Sequence, residues 1–204
     1  MTIDKNDLLN SILASIARID FVNSTDIPNI DLYMDQVTSF MEKELKSSKR
    51  YPDDKILTKT MINNYAKNDL LPPPVKKKYS KEHLMVLTFI YYFKSLLSIK
   101  DIETILTPIT EKYFNTDEEL NITRIYDEVC SFEKERTPFL QEEIADVFEK
   151  SQKTFVDVPE EDREFLQYFS LICMLSLDVY VKKQLIEKLI DLIPDDADNK
   201  KKKK

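Results

Sequence analysis

The chain has 204 residues, of which 42% are hydrophobic and 33% are charged, and its formal net charge at pH 7 is −7. This composition is typical of a soluble globular protein with one large or two small domains, and it excludes wholesale disorder. The net negative charge excludes a protein coated in positive charge, although it leaves room for a local basic patch.

The residue types needed for catalysis or metal binding are sparse. Glycine is absent, histidine occurs once, and the two cysteines, Cys130 and Cys173, form neither a CxxC pair nor a Cys/His cluster. A zinc site, a disulfide framework and a glycine-rich phosphate loop are therefore not expected. The first 20 residues lack the continuous apolar core of a signal peptide. The sequence thus predicts a cytoplasmic protein that is not an enzyme, with no catalytic residues, metal or cofactor.

The first half of the chain shows helical periodicity. Residues 4–18 predict a first helix, and NSTDIPN (23–29) ends it. Asp31 is the expected N-cap of a second helix, whose inward-facing residues are Tyr33, Met34, Val37, Phe40, Met41 and Leu45. A polar loop at 47–54 follows.

Three further helices are predicted before residue 110. Thr58 is placed to cap a helix over 58–68, which the prolines of LLPPP would stop. Lys76 to Tyr79 are expected to form a turn or short ribbon. Ser80 then begins one helix, and Ser98 with Asp101 begins the next.

After Thr110 the helical stretches are acidic and amphipathic. The most apolar segment, residues 165–181, contains Gln167, Ser170, Ser176 and Asp178 and is shorter than a membrane span, so we expect a buried helix. The apolar surplus of 165–193 fits either a closed helical core or a dimer interface. We therefore predict an all-α protein with domains at 1–110 and 111–195 and a disordered lysine-rich tail at 196–204.

One segment has the opposite charge to the rest of the chain. Residues 43–81 contain 11 basic and 4 acidic side chains, which indicates an anionic partner. At 100° per residue, Ile62, Tyr65 and Ala66 lie on the inner side of the 58–68 helix. The outer side carries Thr60, Asn63, Asn64 and Lys67.

This pattern predicts a helix-turn-helix protein whose second helix enters the major groove of double-stranded DNA. Asparagine can bond adenine N6 and N7 there, while Thr58, Lys59 and the helical amides would bind phosphates. Lys76, Lys77 and Lys78 would contact the backbone in a neighbouring groove. An exposed helix face and a solvated basic loop without a ligand remain the alternative interpretation of the same residues.

Residues 57–106 resemble the winged-helix DNA-binding domain of the MerR family of bacterial transcription regulators. That family carries T-I-R-Y-Y-E, G-L-L-x-P, a wing ending in Y-x-x-Y-S, D-L-x-x-L-x-x-I and L-G-F-S-L-x-E-I. The matching residues are Ile62, Tyr65, Leu70, Leu71, Pro73, Tyr79, Ser80, Leu84, Leu87, Ile90, Ser98, Ile99, Asp101 and Ile102. The family's arginine and first tyrosine fall on Asn63 and Asn64, its glutamate falls on Ala66, and the wing is shortened.

Viewed whole, the chain also resembles an uncharacterised bacterial family known only as a domain of unknown function. The resemblances together imply a MerR-like DNA-binding regulator of transcription with a short wing. The acidic C-terminal helices would mediate homodimerisation or bind a protein or small effector, and no membrane partner is expected. A protein-interaction module that keeps the helix-turn-helix shape without binding DNA is the alternative.

Overall fold

Helices dominate the computed structural model, which describes residues 5–16 and 22–194. In chain order the elements are α1 (Lys5–Ile16), β1 (Leu32–Tyr33), α2 (Met34–Leu45), α3 (Lys59–Lys67), β2 (Lys78–Tyr79), α4 (Lys81–Phe93), α5 (Ile99–Tyr113), α6 (Ile122–Gln152) and α7 (Glu160–Ile190). The only sheet in these residues has two strands of two residues each. The predicted all-α class is confirmed. The predicted tail at 196–204 lies outside the described residues.

The contacts divide the chain into two compact units. The central unit comprises Phe21–Ser131 with Glu187–Lys204, and the helical unit comprises Met1–Asp20 with Phe132–Ile186. The boundary predicted near residue 110 falls inside α5, and the contacts instead change unit within α6, after Ser131.

The core of the central unit is built around α4. Every residue of α4 from His83 to Ile90 is buried, so this part of the helix has no exposed face. Helices α2, α3 and α5 contribute Met41, Ile62 and Ile102 to the same core. The Tyr126 hydroxyl donates a hydrogen bond to the Val22 carbonyl, which ties the start of α6 to the beginning of this unit. A helix buried all round its circumference is a scaffold that the other elements pack against.

The predicted starts of α4 and α5 are confirmed. Ser80 is the N-cap of α4, and its backbone N–H donates to the Nδ1 of His83 at 3.0 Å. Ser98 caps α5, where the Asp101 carboxylate accepts from the Ser98 backbone N–H at 3.1 Å. In both capping boxes the side chain of the third helical residue accepts a hydrogen bond from the backbone N–H of the cap residue. Burial lowers the pKa of His83 in this position.

The predicted start of α2 was wrong. The N-cap is Tyr33 and not Asp31, and the Tyr33 side chain is 55% exposed and does not face inward. The reason is the strand β1, which keeps the chain extended as far as Tyr33 and turns alternate side chains to opposite faces. Leu32 therefore enters the core, while Tyr33 faces solvent.

Most of the acidic sequence after Thr110 lies in two long helices, α6 and α7, of 31 residues each. Helix α6 continues through Pro138. A proline removes one backbone hydrogen bond and kinks a helix, but the hydrogen bonds of the neighbouring turns can keep the helix continuous.

In the helical unit, α7 packs against α6 through polar contacts. Gln167 is buried and donates to the Gln152 carbonyl at 2.7 Å, and Lys182 pairs with Glu143 at 3.3 Å. The expected burial of 165–181 was wrong, because most large apolar side chains of this stretch are exposed. Among the described residues, α7 alone is long and apolar enough to cross a membrane, by length and composition only.

Candidate nucleic-acid interface

Helix α3 divides into a buried face and an exposed polar face. Thr58 caps the helix, as predicted, and its hydroxyl accepts from the Met61 N–H at 3.2 Å. Ile62 and Tyr65 are buried, and burial raises the pKa of the Tyr65 hydroxyl. The exposed residues are Lys59, Thr60, Asn63, Asn64 and Lys67. The spacing of 60, 63, 64 and 67 places these four side chains on one surface of the helix.

The end of α3 is fixed by its own backbone and not by the prolines. Asn68 is the C-cap, and Asp69 adopts a left-handed conformation with φ 57°. The Leu70 N–H then donates to the Tyr65 carbonyl at 3.0 Å, which is the 6→1 bond of a Schellman motif. This motif turns Leu70 and Leu71 into the core, so the exposed face of α3 stops at Lys67.

The lysine triplet lies in a tight hairpin. The Val75 N–H donates to the Lys78 carbonyl at 3.1 Å and the Lys78 N–H donates to the Val75 carbonyl at 2.9 Å, which leaves Lys76 and Lys77 as the two loop residues. Their φ angles are 50° and 64°. Positive φ at both central positions is the signature of a type I′ turn, where Asn-Gly is the usual sequence. Both lysine side chains are exposed at the tip.

The hairpin is anchored to the start of α2. Strand β2 pairs antiparallel with β1, so that Lys78 lies opposite Tyr33 and Tyr79 lies opposite Leu32. The Nζ of Lys78 lies 5.3 Å from the centre of the Tyr33 ring, a cation–π contact. Tyr79 is buried, and burial raises the pKa of its hydroxyl.

The start of α3 reaches the same end of α2. The ammonium group of Lys59 forms an ion pair with the carboxylate of Asp35, which belongs to the first turn of α2. Asp35 is two residues from Tyr33, the partner of Lys78. Lys59 of α3 and Lys78 of the hairpin therefore contact residues that lie two positions apart at the start of α2.

Sequence reasoning missed the two residues that connect these elements. The sequence predicts Tyr33 in the core and gives Asp35 no role. A strand of two residues is too short for the alternation that would mark it in the sequence. The ion pair of Asp35 with Lys59 joins residues 24 apart in sequence and leaves no local pattern.

The central unit matches a known protein family. Residues 22–129 match the family described as "Domain of unknown function (DUF1836)". The chain belongs to the DUF1836 family. The match begins and ends within two residues of the Phe21–Ser131 segment of the central unit, so the family description covers the fold that carries α3 and the hairpin. No curated protein and no solved structure matches the chain.

Proposed function

We propose that this DUF1836 protein binds double-stranded DNA through the exposed face of α3 and the lysine hairpin, and that it acts as a regulator of transcription. The observation that carries this proposal is the convergence of Lys59 and Lys78 on the first turn of α2. It brings the start of a polar helix and the base of a basic hairpin to the same end of α2. A groove-reading helix with an adjacent cationic element is the arrangement that DNA-binding proteins use.

Each part of the surface has a role in the proposed complex. Asn63 and Asn64 lie on the exposed face of α3, where each amide can donate to adenine N7 and accept from adenine N6. Thr58, Lys59, Thr60 and Lys67 border these amides and would contact phosphates. Lys76, Lys77 and Lys78 would contact the backbone one groove away. Such lysine contacts position the protein and carry little sequence information.

The order of elements supports a MerR-like form of this function. A strand precedes the first helix of the pair, α3 follows as the second helix, and a hairpin that returns to the first strand precedes α4. This is the arrangement expected of a winged helix-turn-helix with a short wing. The arginine of the MerR family is replaced by Asn63 in this chain, so its phosphate contacts would come from lysines.

Salt dependence of binding tests the proposal. We expect the full chain to bind random genomic duplex fragments at low salt, with a log–log slope of about −5 for six phosphate contacts. Fluorescence anisotropy at several salt concentrations measures both quantities. Lys76→Glu/Lys77→Glu/Lys78→Glu should weaken binding by at least ten-fold at low salt and make the slope less steep.

A matched control separates the hairpin from net charge. The variant Lys100→Glu/Lys112→Glu/Lys153→Glu changes the net charge by the same amount, at exposed lysines outside the proposed DNA-binding surface. This variant should retain most of the affinity for DNA. Absence of binding at low salt, or equal loss in both triple variants, would contradict the proposal.

The alternative function is a protein-interaction module with the same shape. The specific observation in its favour is that Lys59 and Lys78 already have partners in Asp35 and Tyr33, which reduces the charge available to phosphates. A pull-down from a bacterial lysate treated with nuclease distinguishes the two. A stoichiometric protein partner, lost on Asn64→Arg and accompanied by no affinity for DNA, would favour the alternative.

A further inference from the structure

Helix α7 exposes nine large apolar side chains, and five of them form a continuous stripe. These five are between 53% and 71% exposed: Phe165, Phe169, Ile172, Val179 and Tyr180. At 100° per residue they fall within about 100° of one another on the helix surface. Their spacing of four, three, seven and one residues follows the seam of a helix that packs against another helix.

The side of α7 away from the stripe is covered in the first half of the helix. Gln167 and Leu171 are buried, and they lie at least 130° around the helix from the centre of the stripe. Gln167 donates to the Gln152 carbonyl of α6 at 2.7 Å. In this half of α7 the stripe therefore faces away from α6, whereas the second half also exposes Leu177, Val181, Leu185 and Leu189 on the other side.

We propose that the stripe is the contact surface for a second copy of this chain, with the two α7 helices antiparallel. This inference rests on the helical unit and does not depend on the proposed DNA binding.

The charge at the two ends of the stripe selects the antiparallel direction. Glu161 and Asp162 in the first turn of α7 lie on the same side of the helix as the stripe, and so does Lys183 after its last residue. An antiparallel copy centred near Ile172 places the two carboxylates of each helix beside Lys183 of the other. A parallel copy would place acid against acid and lysine against lysine, which is unfavourable.

The size of the stripe agrees with such an interface. At roughly 100 Å² for each partly exposed side chain, the five residues supply on the order of 500 Å² of apolar surface. A stable interface covers about 800 Å² on each partner, of which about 60% is apolar. The stripe thus accounts for the apolar part of one half of a dimer, and the charged ends supply its polar rim.

A lipid surface fits the stripe less well than a second copy. Helix α7 is held to α6 by the Gln167 hydrogen bond to Gln152 and by the Lys182–Glu143 pair. The exposed side of α6 next to that pair carries Glu142 and Asp146. Insertion of α7 into a bilayer would either break these contacts or carry carboxylates into the hydrocarbon, and both are unfavourable.

Analytical ultracentrifugation of the full chain tests the proposal. We expect a reversible monomer–dimer equilibrium, and Ile172→Glu should raise the dimer dissociation constant at least ten-fold. Val181→Glu is the matched control, because Val181 lies on the same helix and is 57% exposed but is about 180° from Ile172. Circular dichroism of both variants confirms retention of helix.

Cysteine crosslinking tests the direction of the helices. Cys173 is exposed beside the stripe, and Cys130 is buried. In a Cys173→Ser background, a mixture of the Glu161→Cys and Lys183→Cys proteins should give a mixed crosslink with a short bis-maleimide, and neither protein alone should crosslink as efficiently. Efficient crosslinking of each protein with itself would mean a parallel pair and would overturn the antiparallel assignment.

The remaining outcomes also decide the question. A monomer at 100 µM, or a dimer that Val181→Glu disrupts as strongly as Ile172→Glu, would overturn the proposal. Flotation of the wild-type chain with vesicles of three parts phosphatidylcholine and one part phosphatidylglycerol, without self-association in solution, would assign the stripe to lipid instead. These results are independent of DNA binding, which the hairpin variants measure separately.

Discussion

The carboxylate of Asp35 in α2 pairs with the ammonium group of Lys59 at the start of α3. Asp35 also lies two residues from Tyr33, whose ring contacts Lys78. One acidic side chain is thus placed among the cations of the proposed DNA-binding surface. It holds Lys59 in position and at the same time offsets its charge.

Removal of this carboxylate should strengthen DNA binding. We expect Asp35→Asn to raise the affinity for duplex DNA at low salt by up to about five-fold, because an exposed ion pair contributes no more than about 1 kcal/mol. The stability of the fold should change by less than that amount for the same reason. Anisotropy titrations measure the affinity and urea unfolding measures the stability. Unchanged or weaker binding would mean that Lys59 contacts no phosphate.

The asparagines of α3 should control which sequence is bound. We expect Asn63→Ala/Asn64→Ala to reduce the preference for the best-bound site over random DNA by about 1–3 kcal/mol for each base contact that is lost. The salt slope should stay the same, because amides neutralise no phosphates. Selection from a random duplex library identifies the best-bound site, and competition titrations measure the preference. A changed slope with unchanged preference would contradict the assigned roles.

Substitution of the two central residues of the hairpin turn should raise the stability of the fold and weaken DNA binding. Lys76→Asn/Lys77→Gly supplies the residues that a type I′ turn prefers, and each left-handed lysine costs about 1 kcal/mol, so the free energy of unfolding should rise by about 1–2 kcal/mol. DNA affinity should fall, because two cations are lost. Thermal unfolding and anisotropy on the same protein measure both. Lys76→Gln/Lys77→Gln is the control, since it removes the charges and keeps the strained backbone.

Asp69 offers a test of the Schellman motif without the hairpin. Its φ of 57° is unfavourable for any residue with a Cβ, so Asp69→Gly should stabilise the protein by about 1 kcal/mol. Asp69→Ala should not stabilise it, because alanine removes the charge but keeps the Cβ. Urea unfolding of the two variants compares them directly. Equal stability of the two variants would mean that the backbone conformation of residue 69 contributes nothing.

The single histidine should make the fold sensitive to mild acid. His83 is 3% exposed, and burial lowers its pKa from the ordinary value of 6.5. The unfolded chain therefore binds a proton near pH 6.5 that the folded protein does not accept until lower pH. The free energy of unfolding should fall as the pH drops below about 6.5, and this contribution should be constant at higher pH.

His83→Gln provides the comparison, since glutamine can keep the N3 bond to Ser80 but does not titrate. Urea unfolding at pH 7.5 and pH 5.5 should show a smaller loss in the variant than in the wild type. Burial also raises the pKa of neighbouring Glu82, with the opposite effect at lower pH, but Glu82 is present in both proteins and cancels in the comparison. An equal loss in both proteins would show that His83 is not the sensor.

The parts of the fold that could be predicted from sequence are those with local causes. Helix α3 follows from the Thr58 cap and from the spacing of Ile62 and Tyr65, all of which lie within eight residues. The exposure of Asn63 and Asn64 follows from the same periodicity. Ser80 and Ser98 begin their helices for equally local reasons, because a serine three residues before a side-chain acceptor forms a capping box.

The errors concern contacts between distant residues. Tyr33 faces solvent because Leu32 and Tyr33 pair with Tyr79 and Lys78, some 46 residues away, and no local pattern predicts that pairing. The apolar stretch 165–181 indicated a buried helix, but burial depends on whether a partner surface is present. In α7 the packing against α6 covers one side only, so Phe165 and Ile172 are exposed in the single chain.

The type I′ turn has a consequence that follows from the absence of glycine. Both central lysines hold a positive φ that the Cβ of each residue disfavours, so the turn does not maintain this conformation by itself. The pairing of β2 with β1 and the burial of Tyr79 hold the two arms of the hairpin together and keep the turn closed. The positions of the two ammonium groups therefore depend on residues outside the turn, and a change that disrupts the β1–β2 pairing would displace them while leaving every charge in place.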